Sequence, residues 1–230
     1  DVNHSEALQQ VQKYFGDIPK RPTPQRNDVT EFDRVGYRHM EVALPVQVPN
    51  LLMAWNTRSL PTAKNPQDAY ALTIIRSVLD GSISARLQNK LVREQKKLTA
   101  ISVSYDPYNR GDSLFNISAL PAEGVSLAEA EKAIQNEMDL LKTELIQPEE
   151  LERVKSNFIS NLIYSQDDIA GQARMIGNLE VNGLSYRLMD ELPDHYETVT
   201  IQDLQRVAQI YFVRENLSTL YLTPIDKNAQ

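Results

Sequence analysis

The sequence contains no cysteine, three histidines and only eight glycines among 230 residues. Without cysteine the chain cannot form a disulfide, a thiolate zinc site or a cysteine nucleophile. The glycines are scattered, and none forms the G-x-G-x-x-G or G-x-x-x-x-G-K spacing that cradles phosphate groups. These absences exclude thiol chemistry and the common nucleotide-binding loops.

The three histidines, His4, His39 and His195, are far apart, and none belongs to an H-x-x-H, H-E-x-x-H or H-x-x-E-H pattern. A catalytic zinc normally needs three protein ligands. No G-x-S-x-G motif marks a serine nucleophile either. We therefore expect no catalytic residue and no metal site in this chain, and structural or surface roles for its histidines.

Excess positive charge and long apolar runs are also missing. The formal net charge is −7, so the chain lacks the basic face that a nucleic-acid partner requires. No apolar run approaches the roughly 20 residues needed to span a bilayer, and the first residues, DVNHSEALQQ, lack the features of a signal peptide. We expect a soluble globular protein, whose export signal, if any, would lie outside this sequence.

The beginning of the chain is organised differently from the rest. A cap-type residue, apolar residues at helical spacing and Gly16 as a stop predict one short amphipathic helix within residues 1–19. Residues 20–36 contain two prolines and many charges without a sustained period, which predicts a linker. The regular hydrophobic pattern of a folded domain begins at residue 37.

From residue 37 the pattern predicts two strands, two helices, a hairpin, a run of helices and a final strand. The strand candidates are RHMEVALPV, NLLMAWNTRSL, LTAISVSYDPY, GDSLFNISAL and NLSTLYLTP. The first two are adjacent in sequence, and we expect them to pair antiparallel. Ser126 with Glu129 forms a capping-box pattern, and Thr200 caps a later helix. Because strands and helices segregate, the expected fold is α+β, with helices packed on one face of a mostly antiparallel sheet.

Paired carboxylates are the remaining candidates for acid/base chemistry. Glu149 with Glu150, and Asp167 with Asp168, are better explained as solvated helix ends, where the helix dipole favours negative charge. A free-standing hydrolase that uses such pairs has only the abundance of Asp and Glu in its favour. Taken alone, the residues describe a binding or structural module.

Positive charge is concentrated in SISARLQNKLVREQKKLTAISVSYDP, residues 82–107. Within it, SARL at 84–87, LVRE at 91–94 and KLTA at 97–100 resemble a segment of the pitrilysin/insulinase-type zinc peptidases, which include mitochondrial processing peptidase. That segment usually reads S-R-L, then L-R-E, then L-A-Y. DVNHSEALQQVQKYFGDIP resembles the last helix of one such domain, and TIQDLQRVAQIYFVRENLSTLYLTP resembles the closing element of the next. The resemblance covers nearly the whole chain.

This resemblance implies a metalloprotease-like fold of duplicated α+β domains that close around a peptide. Residues 1–19 are then the terminal helix of a preceding domain, residues 20–36 the linker, and residues 37–230 a non-catalytic second domain. It implies that this chain holds no cofactor and that zinc belongs to a catalytic half, on the same polypeptide or on a separate subunit. Since bacterial relatives of this type are commonly exported, it also implies a periplasmic location.

The implied function is that of an accessory, substrate-enclosing half of a zinc endopeptidase that degrades or processes peptides. The expected partners are the catalytic half and an extended peptide substrate, and this chain alone is expected to be inactive. The alternative is a family member that has lost proteolysis and serves as a scaffold or assembly subunit.

The expected substrate-binding residues are Arg93, Arg86 and Tyr105. Arg93 matches a family arginine that, with a tyrosine seven residues further on, reaches the peptide at the zinc; here that later position is Ala100. We expect Tyr105 or Tyr108 to approach from the hairpin instead. A guanidinium is always charged and offers a fork of donors, which suits a substrate carbonyl or carboxylate.

A second interpretation of the two arginines needs no substrate. Arg86 and Arg93 are seven residues apart on one predicted helical face, where carboxylates such as Asp80 or Glu94 would pair with them. This interpretation is favoured for Arg86, because charged runs on a surface are usually solvated and contribute little energy.

Overall fold

The computed structural model of the chain describes residues 3–22 and 36–225. The strands in these ranges are β1 Arg38–Leu44, β2 Asn50–Thr57, β3 Leu98–Ser104, β4 Ser113–Pro121 and β5 Leu217–Pro224. The α-helices are α1 His4–Phe15, α2 Gln67–Asp80, α3 Leu127–Thr143, α4 Pro148–Tyr164, α5 Ile169–Val181, α6 Leu188–Glu197 and α7 Ile201–Tyr211. A π-helix, Gln88–Glu94, precedes β3.

The five strands form one sheet in the order β1-β5-β2-β4-β3. All neighbouring strands are antiparallel except β1 and β5, which are parallel. This architecture confirms the α+β prediction and the β3–β4 hairpin. The predicted pairing of β1 with β2 is wrong, because β5 from the other end of the chain lies between them, and the hydrophobic pattern carries no information on such long-range insertion.

Helices cover one face of the sheet and build the core. α2, α3 and α7 pack on the strands, and α4 and α6 pack against α2. Strict alternation in β2 buries Leu51, Met53 and Trp55 under these helices. Side chains at the alternate positions of each strand therefore point to the opposite face of the sheet.

Helix ends follow the predicted caps. Ser126 and Glu129 make both bonds of a capping box at α3, and Thr200 with Asp203 makes a second box at α7. Glu149 and Glu150 lie in the first turn of α4, as predicted. Asp168 is the N-cap of α5, where its carboxylate accepts backbone hydrogen bonds.

The N-terminal helix α1 has no buried residue. Its apolar residues Leu8, Val11 and Phe15 are 57%, 52% and 61% exposed. The predicted amphipathic helix is confirmed, but its apolar stripe does not join the core. Most of the predicted linker, residues 23–35, lies outside the described residues.

Candidate functional site

The uncovered side of the sheet, which we call the open face, carries rows of side chains in register across all five strands. One row runs Met40, Leu220, Leu52, Ser118 and Ser102. The next runs Arg38, Ser218, Ala54, Asn116 and Ser104. The first row is therefore apolar from β1 to β2 and polar on β4 and β3, whereas the second row is polar at both ends, with Arg38 on β1.

The open face is concave. The hollow over it has a volume of about 950 Å³ and is lined by both rows together with Tyr37 and His39. A second hollow of about 670 Å³ adjoins it at the β3–β4 loop and shares Arg38, Asn116 and Ser104. Both hollows open to solvent, and together they extend along the open face from β1 to the β3–β4 loop.

Polar groups on the open face are available for new hydrogen bonds. The Ser118 hydroxyl donates to the side-chain oxygen of Asn50 at 3.2 Å. Ser102 and Ser104 are exposed, and their hydroxyls bond to no other described residue. These two hydroxyls can donate to, or accept from, the backbone of a bound chain.

Arg93 ends the π-helix and is exposed. Within residues 3–22 and 36–225 its guanidinium has no hydrogen bond or ion pair. The carboxylate of Glu94, proposed above as a partner, accepts instead from Lys90 at 2.9 Å and Asn89 at 3.2 Å. Arg93 is therefore an available cation, as a substrate-binding role requires.

Arg86 is bound differently. Its guanidinium donates two hydrogen bonds to Glu150 of α4, at 2.9 and 2.7 Å. The pairing interpretation holds for Arg86, but the partner is Glu150 rather than Asp80, which accepts from Gln88 and from the backbone of Val103. This fork-to-fork pair joins α4 to the segment that carries Arg93.

Tyr105 and Tyr108 lie at the loop end of the hairpin. Tyr105 lines the smaller hollow, and its hydroxyl donates to the Arg58 carbonyl at 2.6 Å. The Tyr108 hydroxyl is 3.5 Å from that of Tyr196 in the core. Burial, followed by the neighbouring Tyr196, raises the pKa of both phenols above the ordinary value, so both stay protonated donors.

Ala100 occupies an exposed position on the open face, opposite Leu120 of β4. A tyrosine at this position would project from the sheet, whereas alanine leaves only a methyl group. The open face at this position therefore offers no phenol to a ligand.

The apolar part of the first row was not predicted. Met40 is 61% exposed, and Leu220 and Leu52 follow it in register. The signal for Leu52 was hidden because NLLMAW is apolar on both faces, so alternation could not separate core from open face. The meeting of these three side chains depends on the β1–β5–β2 order.

No group of three or more metal-ligating side chains that could hold a metal ion occurs among the described residues. His39 packs edge-on against Tyr221, with ring centroids 4.5 Å apart, and His195 stacks on Tyr70 at 4.8 Å. These two histidines therefore have packing partners rather than metal-site neighbours. In the described ranges, no helix is long and apolar enough to cross a membrane.

Comparison with known proteins identifies related domains. The family model of the peptidase M16 inactive domain matches residues 1–158. A protease from Helicobacter pylori is similar over 97% of this chain and 53% of its own, with 20% identity and a TM-score of 0.85. The peptidase M16 inactive domain from Pseudomonas fluorescens is similar over 98% of this chain and 52% of its own, with 15% identity and a TM-score of 0.77. The periplasmic protease PqqL from Escherichia coli is similar over 98% of this chain and 24% of its own, with 16% identity and a TM-score of 0.71.

At these identities the structural similarities concern the fold alone. The chain spans about half the length of the first two proteins, at 53% and 52%. No curated protein matches the sequence.

Proposed function

Because the chain belongs to the peptidase M16 inactive domain family, we propose that it is the accessory, substrate-enclosing half of a zinc endopeptidase. The zinc belongs to the catalytic half, and this chain supplies the opposite wall of the chamber that holds the peptide. The observation that carries the proposal is the concave open face, with its hollow of about 950 Å³ and the exposed Ser102 and Ser104 hydroxyls, which bond to no other described residue.

Arg93 is the residue through which this half acts on the substrate. Its guanidinium is exposed and, among the described residues, bonds to nothing else, so it can donate to a carbonyl of the bound peptide. Such a donor stabilises negative charge that develops on the carbonyl during hydrolysis. The family tyrosine seven residues later is absent, so the arginine acts without it.

Arg86 and Tyr105 contribute to substrate binding in different ways. Tyr105 lines the smaller hollow, while its ring packs near Phe115 of the core and its hydroxyl donates to the Arg58 carbonyl. Arg86 is a positioning residue, because its pair with Glu150 fixes the segment that carries Arg93 to α4.

The experiment that tests the proposal is reconstitution with the zinc-binding half. Cleavage of unfolded, labelled casein is measured for that half alone, for this chain alone, and for the two together. We expect no turnover by this chain alone and a large increase when the halves are joined. Cleavage that is unchanged by this chain would refute the proposal.

One observation favours a second candidate function, a non-proteolytic scaffold or assembly subunit. Ala100 stands where the family arginine has its tyrosine partner, and a subunit that no longer assists proteolysis has no use for that phenol. The reconstitution experiment separates the two functions, because a scaffold binds the other half without raising casein cleavage.

The same proposal covers domain arrangement and location. The helix α1, with no buried residue, is the terminal helix of a preceding domain, and residues 37–230 form the accessory domain. A periplasmic location agrees with the similarity to the periplasmic protease from Escherichia coli. Fractionation of cells that produce the natural protein tests the location.

A further inference from the structure

Charge is distributed unevenly over the open face. The residues that line both hollows, and so form the boundary between them, are Arg38, Ser218, Ala54, Asn116 and Ser104. They are the second row of the open face, and Arg38 is the charged member of that row. Arg38 therefore faces the place where the two hollows meet.

The larger hollow has a positive side chain in an acidic protein. Within the described parts of the chain, Arg38 is the one residue with a fixed charge that lines this hollow. His39 and Glu41 follow it on β1, but strand alternation directs their side chains to the opposite face, where imidazole and carboxylate are 3.2 Å apart. A chain with a net charge of −7 thus places a cation over its main hollow.

The guanidinium of Arg38 is available to a ligand. It is exposed, and it makes no hydrogen bond or ion pair with any described residue. The two carboxylates that line the smaller hollow have other contacts, since Asp112 accepts from Arg58 and Asp106 accepts from the amide of Tyr108 at 2.9 Å. Neither of these carboxylates neutralises Arg38.

The surroundings of Arg38 favour an ion pair with a bound group. The apolar side chains Met40, Leu220 and Leu52 lie in the neighbouring row of the same concave surface. Apolar walls lower the local dielectric constant, and a concave surface concentrates the field of a single charge. A guanidinium also binds both oxygens of a carboxylate through its fork of donors. The matching ligand group is therefore a carboxylate.

We propose that Arg38 binds a carboxylate of the enclosed peptide, which is either an Asp or Glu side chain or the C-terminal carboxylate. The inference rests on the proposed function, because it requires the open face to hold the peptide. It adds the class of substrate: a peptide that presents a negative charge to the second row binds more tightly than one that does not.

The test compares short unstructured peptides that differ only in their carboxylates. One peptide has a single glutamate and an amidated C-terminus, a second has glutamine in its place and a free C-terminus, and a third has glutamine and an amidated C-terminus. A neutral BODIPY label reports their binding to the 230-residue chain by fluorescence anisotropy. We expect the first or the second peptide to bind about tenfold more tightly than the third, and the one that does identifies the source of the carboxylate.

Variants assign this preference to Arg38. Arg38→Gln should bind all three peptides as weakly as the unmodified chain binds the third. Arg38→Lys should keep part of the preference, because an ammonium retains the charge without the fork. Lys132→Gln is the matched control, since Lys132 is exposed on α3 among the helices and its replacement removes the same charge. The preference should be unchanged in this control.

The outcomes separate this inference from the proposed function. A carboxylate preference that survives in Arg38→Gln, or that Lys132→Gln abolishes equally, would overturn the inference. Equal binding of the three peptides by the unmodified chain also overturns it, but leaves the enclosing role standing when that chain raises casein cleavage by the catalytic half. A chain that binds none of the peptides and does not raise cleavage overturns both.

Discussion

At the scale of single residues, Arg93 differs from its charged neighbours. Lys90 is paired with Glu94 and Arg86 with Glu150, whereas the Arg93 guanidinium is exposed and bonds to no other described residue. For Arg93 the sequence left both a substrate-binding role and a carboxylate partner open. The partner of Arg86 was not predicted, because Glu150 is 64 residues away in sequence and only the packing of α4 brings the two together.

Replacing Arg93 should therefore affect activity and not stability. We expect Arg93→Ala to lower kcat/KM for casein in the reconstituted peptidase by about tenfold or more, since it removes a charged donor to the substrate carbonyl. Arg93→Lys should recover only part of the activity, because an ammonium lacks the guanidinium fork.

Lys90→Ala is the matched control, because it removes a positive charge from the same π-helix. It should leave kcat/KM within about twofold, and urea unfolding should show that each variant changes stability by less than about 0.5 kcal/mol. An equal loss of activity for Lys90→Ala and Arg93→Ala would mean that general positive charge, and not a specific contact, is what matters.

At the scale of elements, local signals predicted most of the structure. The alternation of β3 and β4 and the capping box of α3 were visible because the residues that make them are close in sequence. The π-helix was predicted only as an ordinary helix, because its wider turn has no distinct sequence period. The order of the strands could not be predicted from local signals either. The neighbour of β1 is β5, which comes from the other end of the chain.

The cap of α7 gives a prediction for pH dependence. Burial raises the pKa of Asp203, but hydrogen bonds from Thr200 and the ion pair with Arg206 outweigh it, so the pKa lies below its ordinary value. The folded state then binds fewer protons than the unfolded state in acid. The stabilisation that the ionised Asp203 carboxylate gives the folded state is fully present above its ordinary pKa of about 3.9. It is lost as the pH falls through the lower folded-state pKa.

We therefore expect Asp203→Asn to be less stable than the unmodified chain at pH 7, with a difference that narrows as pH falls below about 4. Thr200→Ala should cost about 1 kcal/mol at pH 7, because it removes the cap itself. Urea unfolding across this pH range measures both. If the loss of unfolding free energy in Asp203→Asn stays constant with pH, the hydrogen bonds from Thr200 to the Asp203 carboxylate do not stabilise its ionised form.

At the scale of the whole molecule, the sheet has one face covered by helices and one that is concave and open. The alternation of polar and apolar residues in β3 and β4 gives the hairpin one polar face. It did not predict that this face continues into the apolar row of Met40, Leu220 and Leu52, because that continuity requires the full register of the sheet. The site is therefore a property of topology more than of any motif.

The apolar stripe of α1 belongs to the same scale. Leu8→Gln combined with Phe15→Gln should change the free energy of unfolding of this chain by less than about 0.5 kcal/mol, because neither side chain is buried. In the assembled peptidase this double substitution should weaken the association of the chain with the catalytic half. Titration of the labelled halves measures that affinity. If the double variant instead lowers the stability of the chain alone, α1 packs on its own domain.

Site-specific photo-crosslinking during casein cleavage shows whether the open face holds the substrate. A benzophenone side chain is introduced at Ser102, which is exposed on the open face, or at Asn136, which is exposed on α3 among the helices. If the open face holds the substrate, position 102 forms cross-links to casein in the reconstituted peptidase and position 136 does not. Active peptidase that forms no cross-link from position 102, or equal cross-links from both positions, would contradict it.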